Sequence, residues 1–478
     1  MKLLRTFLTL LACTALGLPG LFAQYPPPPA QPAAIPFGGL NFSPEDQFHG
    51  SVAQGAASST PIPLSLQDSI NRALKENLGL LVRGSVNSAA RADRLRTLSA
   101  LLPSVTAAFS EYETQISLAV YGLRFPGIPA VVGPFNYSDL RAFANAPLFD
   151  WTAIKNLRAS AESARATQLS LQDGHDVVVQ AVASGYLTIL ADLARIQVTK
   201  MQISTAENLA ATTHDRHQAG VAPAIDDIRA QVELKTEQQR LLILQNQAAK
   251  DKLTLARVIG LPSGQDFEPT DQAPYRPIEN LNPEALLSQA FESRADYKSG
   301  EAQLHAAELS RQAAGAERLP TAYLSANYGD IGPRLSQSHG SFTVTGSVSI
   351  NIFDGGRIRA DELSADAEIQ RRRNELADLR GKIDYEVRSA LLDLSSATEQ
   401  VNLARGNLDL ANTALQQAQD RVSAGVTDNL EVIQAQEAVA SANQDLINGL
   451  YVHNIAKVSL ARAVGSTEES LKKFLGGD

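Results

Sequence analysis

Cysteine is all but missing from this chain: Cys13 is the only one in 478 residues. A disulfide framework or a cysteine-ligated metal centre is therefore not expected. Tryptophan occurs once and methionine twice, and aromatic residues make up only 6% of the chain. A surplus of positive charge is missing too. The net charge of −9 argues against a phosphate-binding face and so against a nucleic-acid partner. Beyond the first residues no window approaches the apolar run that a membrane helix requires. Proline is absent between Pro147 and Pro223 and again after Pro333. No Ser/His/Asp order, paired-carboxylate cleft or nucleotide fingerprint is present, and Gly355-Gly356 lacks the lysine of a phosphate loop. His214 and His217, three residues apart, have no cysteine or third histidine near them in sequence. Neither an enzymatic activity nor a bound cofactor or metal is expected.

What the first residues do contain is an export signal. Lys2 and Arg5 precede the apolar stretch Leu8 to Leu18, and Leu21-Phe22-Ala23 forms a cleavage site before Gln24. Leu11 is bulky for a lipoprotein signal around Cys13, so acylation there is not expected. An exported chain without a membrane helix can enter a bilayer only as β-strands, which points to a bacterial outer membrane. Residues 24–62, with Pro26 to Pro29, Pro32 and Pro36, read as an extended linker.

The remainder is written twice. Ala219-Gly220-Val221 returns as Ala424-Gly425-Val426, and Leu255-Ala256-Arg257 as Leu460-Ala461-Arg462, both 205 residues later (424 − 219 and 460 − 255). Phe149-Asp150 returns as Phe353-Asp354 after 204 (353 − 149). Two repeats follow, at 63–262 and 284–478, joined by a proline-containing linker at 263–283. Within the second, Ile383, Val387, Ala390, Leu394, Ala397, Val401, Ala404, Leu408, Ala411, Leu415, Ala418 and Val422 alternate steps of 4 and 3. That heptad pattern predicts a helix from Asp354 to Ser423, roughly 100 Å long and packed as a left-handed coiled coil. Alanine at every second seam position allows a thin, close seam. Val182, Ile189, Ile196 and Ile203 keep the same frame in the first repeat, with Asp192 as the break.

Strict alternation from Phe342 to Ile352 predicts a strand at about 341–353 with one face to lipid and one to water. Its hairpin partner is expected at about 321–329. The equivalent pair of the first repeat is expected at about 104–117 and 136–147. Four strands cannot close a membrane barrel, since single-chain barrels begin at about eight. An open edge in lipid would leave backbone groups unpaired. The chain is therefore expected to associate with copies of itself. A rival reading is a periplasmic structural coiled-coil protein without a pore, which would carry no exposed apolar band on Phe342, Val344 and Ile350.

Signal, duplicated helix–hairpin–helix halves and heptad helices together resemble the TolC type of outer-membrane efflux protein. The sharpest local match is the strand-to-helix junction Ile352-Phe353-Asp354-Gly355-Gly356-Arg357, echoed less fully by Leu148-Phe149-Asp150-Trp151. The resemblance implies a mainly α fold with a membrane β-barrel portion. It implies a homotrimer whose twelve strands form one barrel, set in outer-membrane lipid and continued by an α-barrel in the periplasm. It further implies a passive duct for efflux or export of small molecules, or type I secretion. A periplasmic adaptor protein and an energised inner-membrane pump of the RND or ABC type would be its partners. The Ala-Gly-Val turns, at Gly220, Val221, Gly425 and Val426, would then face the adaptor. Asp226, Asp227, Asp428 and Glu431 follow those turns. They are expected either to complement the positive ends of helices or to ring the tip as a cation-favouring gate.

Overall fold

The computed structural model describes residues 46–272, 275–278, 281–424, 426, 429–465 and 467–475. The signal, Cys13, most of the proline-rich linker, Gly425 and Asp428 lie outside the described residues. The elements in chain order are β1 (Ile62–Leu64), α1 (Leu66–Glu76), α2 (Leu78–Ser99), β2 (Ser104–Ser117), β3 (Val131–Phe149), α3 (Trp151–Gln218) and α4 (Ala224–Val258). They continue with β4 (Phe267–Pro269), α5 (Pro283–Ser293), α6 (Ala295–Ala316), β5 (Thr321–Gly332), β6 (His339–Ser349), α7 (Arg357–Ser423), α8 (Asn429–Val464) and α9 (Thr467–Leu475). The order helix, helix, strand, strand, long helix, helix is thus present in both halves.

Strands β2, β3, β5 and β6 form one antiparallel sheet in that order, leaving β2 and β6 as its edges. Register explains the alternation. Val105, Ala144, Ala326 and Val344 stand in one row across the sheet, and Ala107, Ala142, Tyr328 and Phe342 in another on the same face. The intervening rows carry the polar groups. In one of them Arg141 stands beside Ser341 across Gly329, and its guanidinium donates to Asn327 Oδ1 at 2.6 Å and Ser341 Oγ at 3.1 Å. Phe342, Val344 and Ile350 are 75, 62 and 55% exposed, against the rival coiled-coil reading. The last strand stops at Ser349 rather than Phe353, because its partner β5 begins at Thr321, directly opposite Ser349. Ile350 to Phe353 therefore have no residue of β5 opposite them.

Helix α3 packs along α4, and α7 along α8. On α7 the seam from Ile383 to Ala404 is buried without a break, and Ala418 is buried again nearer the turn. Leu408, Ala411, Leu415 and Val422 are half-buried. Small seam residues let the backbones close in: a Cβ placed on Gly449 of α8 would lie 3.5 Å from Val401 Cα. On α3 one 18-residue window, with mean hydropathy 1.6, is long and apolar enough to cross a membrane. This departs from the sequence expectation that no such window exists. Half of it is buried within the protein, where Val178, Val179, Val182, Tyr186 and Ile189 join the core.

That core lies where the middle of α3 meets α1, the end of α8 and the β1–β4 pair. The linker between the repeats contributes to it. Phe267 is buried, and the Asp271 carboxylate accepts from Tyr186 Oη at 2.8 Å and from Leu66 N at 2.7 Å. Nearby Arg294, 2% exposed, donates to Asp296 at 2.7 Å and Glu386 at 2.5 Å, binding α6 to α7. Burial opposes its charge, yet the two carboxylates hold its pKa above the ordinary arginine value. No periodicity signals such a pair in sequence.

Candidate functional site

Two places carry the sequence's candidate residues: the strand-to-helix junctions and the turns at the far ends of the long helices. At the first junction Asp150 Oδ1 accepts from Ala153 N at 2.9 Å, capping α3, while Oδ2 accepts from Tyr323 Oη at 2.9 Å. One carboxylate thus starts a helix and ties it to β5. Phe149 stacks on Trp151, with ring centres 6.2 Å apart. At the second junction Asp354 accepts from Gly356 N at 3.0 Å and from Ile358 N at 2.8 Å. These backbone donors hold its carboxyl below the ordinary range. Gly355 and Gly356 take φ of +67° and +92°, which residues with a Cβ rarely adopt. Phe353 is left 90% exposed.

At the first far turn Gly220, with φ +75°, ends α3. Gly220 N donates to His217 O and Val221 N to Arg216 O, both at 2.9 Å, a pair of bonds that closes the helix end. Val426 N donates to Arg421 O at 3.0 Å, the same bond in the second repeat. Val221 and Val426 are 73 and 69% exposed, so both turns present an apolar residue to their surroundings.

The acids beyond these turns have partners. Asp227, in the first turn of α4, accepts from His214 Nδ1 at 3.1 Å and from Gln231 Nε2 at 2.8 Å. The His214 bond, then the Gln231 bond, holds its pKa below the usual value. Glu431 on α8 pairs with Arg421 on α7 at 3.3 Å. Each pair therefore bridges the two helices of one hairpin. Asp226 is buried and lies 3.7 Å from Arg229 of its own helix. His214, bare in the sequence reading, is the partner that sequence reasoning missed. Its signal would have been its position one helical turn before Gln218, facing back across the turn.

Sequence reasoning also missed a cleft of about 520 Å³ further along the helices, where Glu233 and Glu237 of α4 meet Glu437 of α8. Neither heptad spacing nor a motif marks those positions, since α4 and α8 belong to different repeats and meet only in the folded chain. Among the described residues no group of three histidine, cysteine or acidic side chains is placed to hold a metal ion.

A sheet with an apolar face and a polar face, carried on paired helices of this length, defines an outer-membrane channel protein. Residues 70–261 and 286–466 match the model of the outer membrane efflux protein family, and the chain belongs to that family. It is 26% identical over 469 residues to the toluene efflux pump outer membrane protein TtgC of Pseudomonas putida, covering 95% of this chain and 94% of that one. It is 26% identical over 335 residues to the pyoverdine export outer membrane protein OpmQ of Pseudomonas aeruginosa, covering 68 and 67%. Its fold matches the CmeC outer membrane channel of Campylobacter jejuni with a TM-score of 0.73 at 15% identity, over 90% of this chain and 94% of that one. The protein is accordingly an outer-membrane efflux duct whose helical portion lies in the periplasm.

Proposed function

We propose that three copies of this chain close one twelve-stranded barrel in outer-membrane lipid and continue it as a helical tunnel. The observation that carries the reading is the sheet itself. One face carries an apolar band across all four strands, and among the described residues edges β2 and β6 have no strand beside them. Unpaired backbone groups at such edges are tolerated in water but not in hydrocarbon, so each β2 must meet the β6 of a neighbour. In this reading the duct conducts passively. A periplasmic adaptor meets the turns at Gly220-Val221 and Gly425-Val426, and an inner-membrane pump of the RND or ABC type supplies the energy. The pump and export roles in the names of TtgC and OpmQ support that assembly.

The three-fold arrangement would also repeat Asp226 and Glu431 around the inner end of the bore. Purified protein reconstituted in planar bilayers should give cation-leaning channels, and the detergent-extracted species should have the mass of three chains. Recovery of only a soluble monomer would end the reading. Replacing Asp226 and Glu431 by alanine should reduce cation preference; unchanged selectivity would leave both acids as helix-end partners alone.

A further inference from the structure

We propose that the cleft between α3, α4 and α8 is a binding site for an amphiphilic organic cation. It is built within one chain and stands apart from the turns and junctions. Glu237 is 3% exposed, and its Oε1 pairs with Arg240 at 2.9 Å. Its Oε2, equally buried, has no hydrogen-bond partner although the side chain lines the cleft. Leaving a buried carboxylate oxygen unpaired is costly unless a donor or a cation arrives to meet it. Glu233 and Glu437 line the same space, so three acids face one arginine. Burial first, and then repulsion from Glu237 and Glu437, raises the pKa of Glu233, and burial likewise raises that of Glu237. A positive charge seated among them relieves both effects.

The shape selects the class of ligand. The carboxylates do not converge closely enough for a metal ion, which favours a charge spread over a larger body. The acidic end continues into a second space of about 140 Å³, lined by Val198, Met201, Leu415 and Val439. The two spaces share Glu233, Glu237, Gln202 and Ala440. An apolar wall beside an anionic one suits a molecule with a cationic head and a hydrophobic body, and the volume is that of a small-molecule site. The duct wall would thus hold a cationic passenger or modulator in addition to its bore.

Tetraphenylphosphonium, a lipophilic monocation, is a suitable probe for equilibrium dialysis against the full chain in detergent. The isosteric anion tetraphenylborate controls for partition into micelles. We expect one tetraphenylphosphonium per chain, at least tenfold weaker binding in the double variant Glu233→Gln, Glu237→Gln, and no saturable binding of the anion. Arg240→Gln, which removes the competing cation, should tighten binding severalfold. The readout is independent of conduction, so its failure leaves the duct reading standing. Wild-type affinity in the double variant, unchanged affinity in Arg240→Gln, or equal binding of the anion would each overturn the assignment.

Discussion

His453 is fully buried on α8, and neither ring nitrogen is hydrogen-bonded. Burial, and next the nearby Lys457 charge, pushes its pKa down from 6.5 to about 4. The unfolded chain takes up a proton here as pH falls through 6.5, and the folded chain refuses it until about 4. Titration of this group therefore leaves stability untouched above 6.5 and lowers it progressively as pH falls towards 4. Replacing His453 by Leu removes two unsatisfied buried polar atoms. It should stabilise the fold by about 1–3 kcal/mol at neutral pH, and by more at pH 5. Thermal unfolding of both proteins at the two pH values measures this, and identical pH slopes would refute it. The cap at Asp354 acts at the same scale: it replaces bonds that the first turn of α7 cannot make for itself.

Among the elements, strands and seams depend on which face a residue occupies. Val344 stands in an apolar row and Thr343 in the polar row beside it. Arginine at Val344 should cost about 2–4 kcal/mol at mid-bilayer depth and reduce the amount of folded protein in the outer membrane. Arginine at Thr343 should be tolerated and should shift conductance towards anions. Equal effects at the two positions would mean that neither face meets lipid. For the helices the sensitive point is the thin seam. Ala397 is fully buried on α7, and leucine there should destabilise the coil by about 1–3 kcal/mol through overpacking. A melting curve unchanged by Ala397→Leu would show that the seam has slack.

At the scale of the whole molecule, the proposed trimer makes the two hairpins of helices and the four strands a fragment of a wall. In that reading the apolar sheet face meets lipid and the edges meet neighbours. Chemical cross-linking of outer membranes should therefore stop at three chains, and proline placed mid-strand in β6, which disrupts the edge, should shift the product to monomer. A ladder continuing beyond three, or a trimer indifferent to the proline, would require a different closure. The buried Arg294, Asp296 and Glu386 network operates at this scale as well, since it joins the helices of the second repeat beside the core.

The long helices and the strands were legible from residue order, because period 3.5 and period 2 are local properties, and the repeated segments at offsets of 204 and 205 are a matter of arithmetic. The seam from Ile383 to Ala404 was readable for the same reason: each step of 4 or 3 brings the chain back to one side. What no spacing announces is which side chains from distant segments meet. His214 finds Asp227 only because a turn brings α4 back along α3. Glu233, Glu237 and Glu437 share a cleft only because two hairpins pack on one another. The end of β6 at Ser349 was set by where its partner begins, and Arg294 is held by carboxylates on two different helices. The sequence alone determined the periods, and hence which faces must be buried; the tertiary structure decided which charges face each other, because contact between remote segments follows from packing and not from order along the chain.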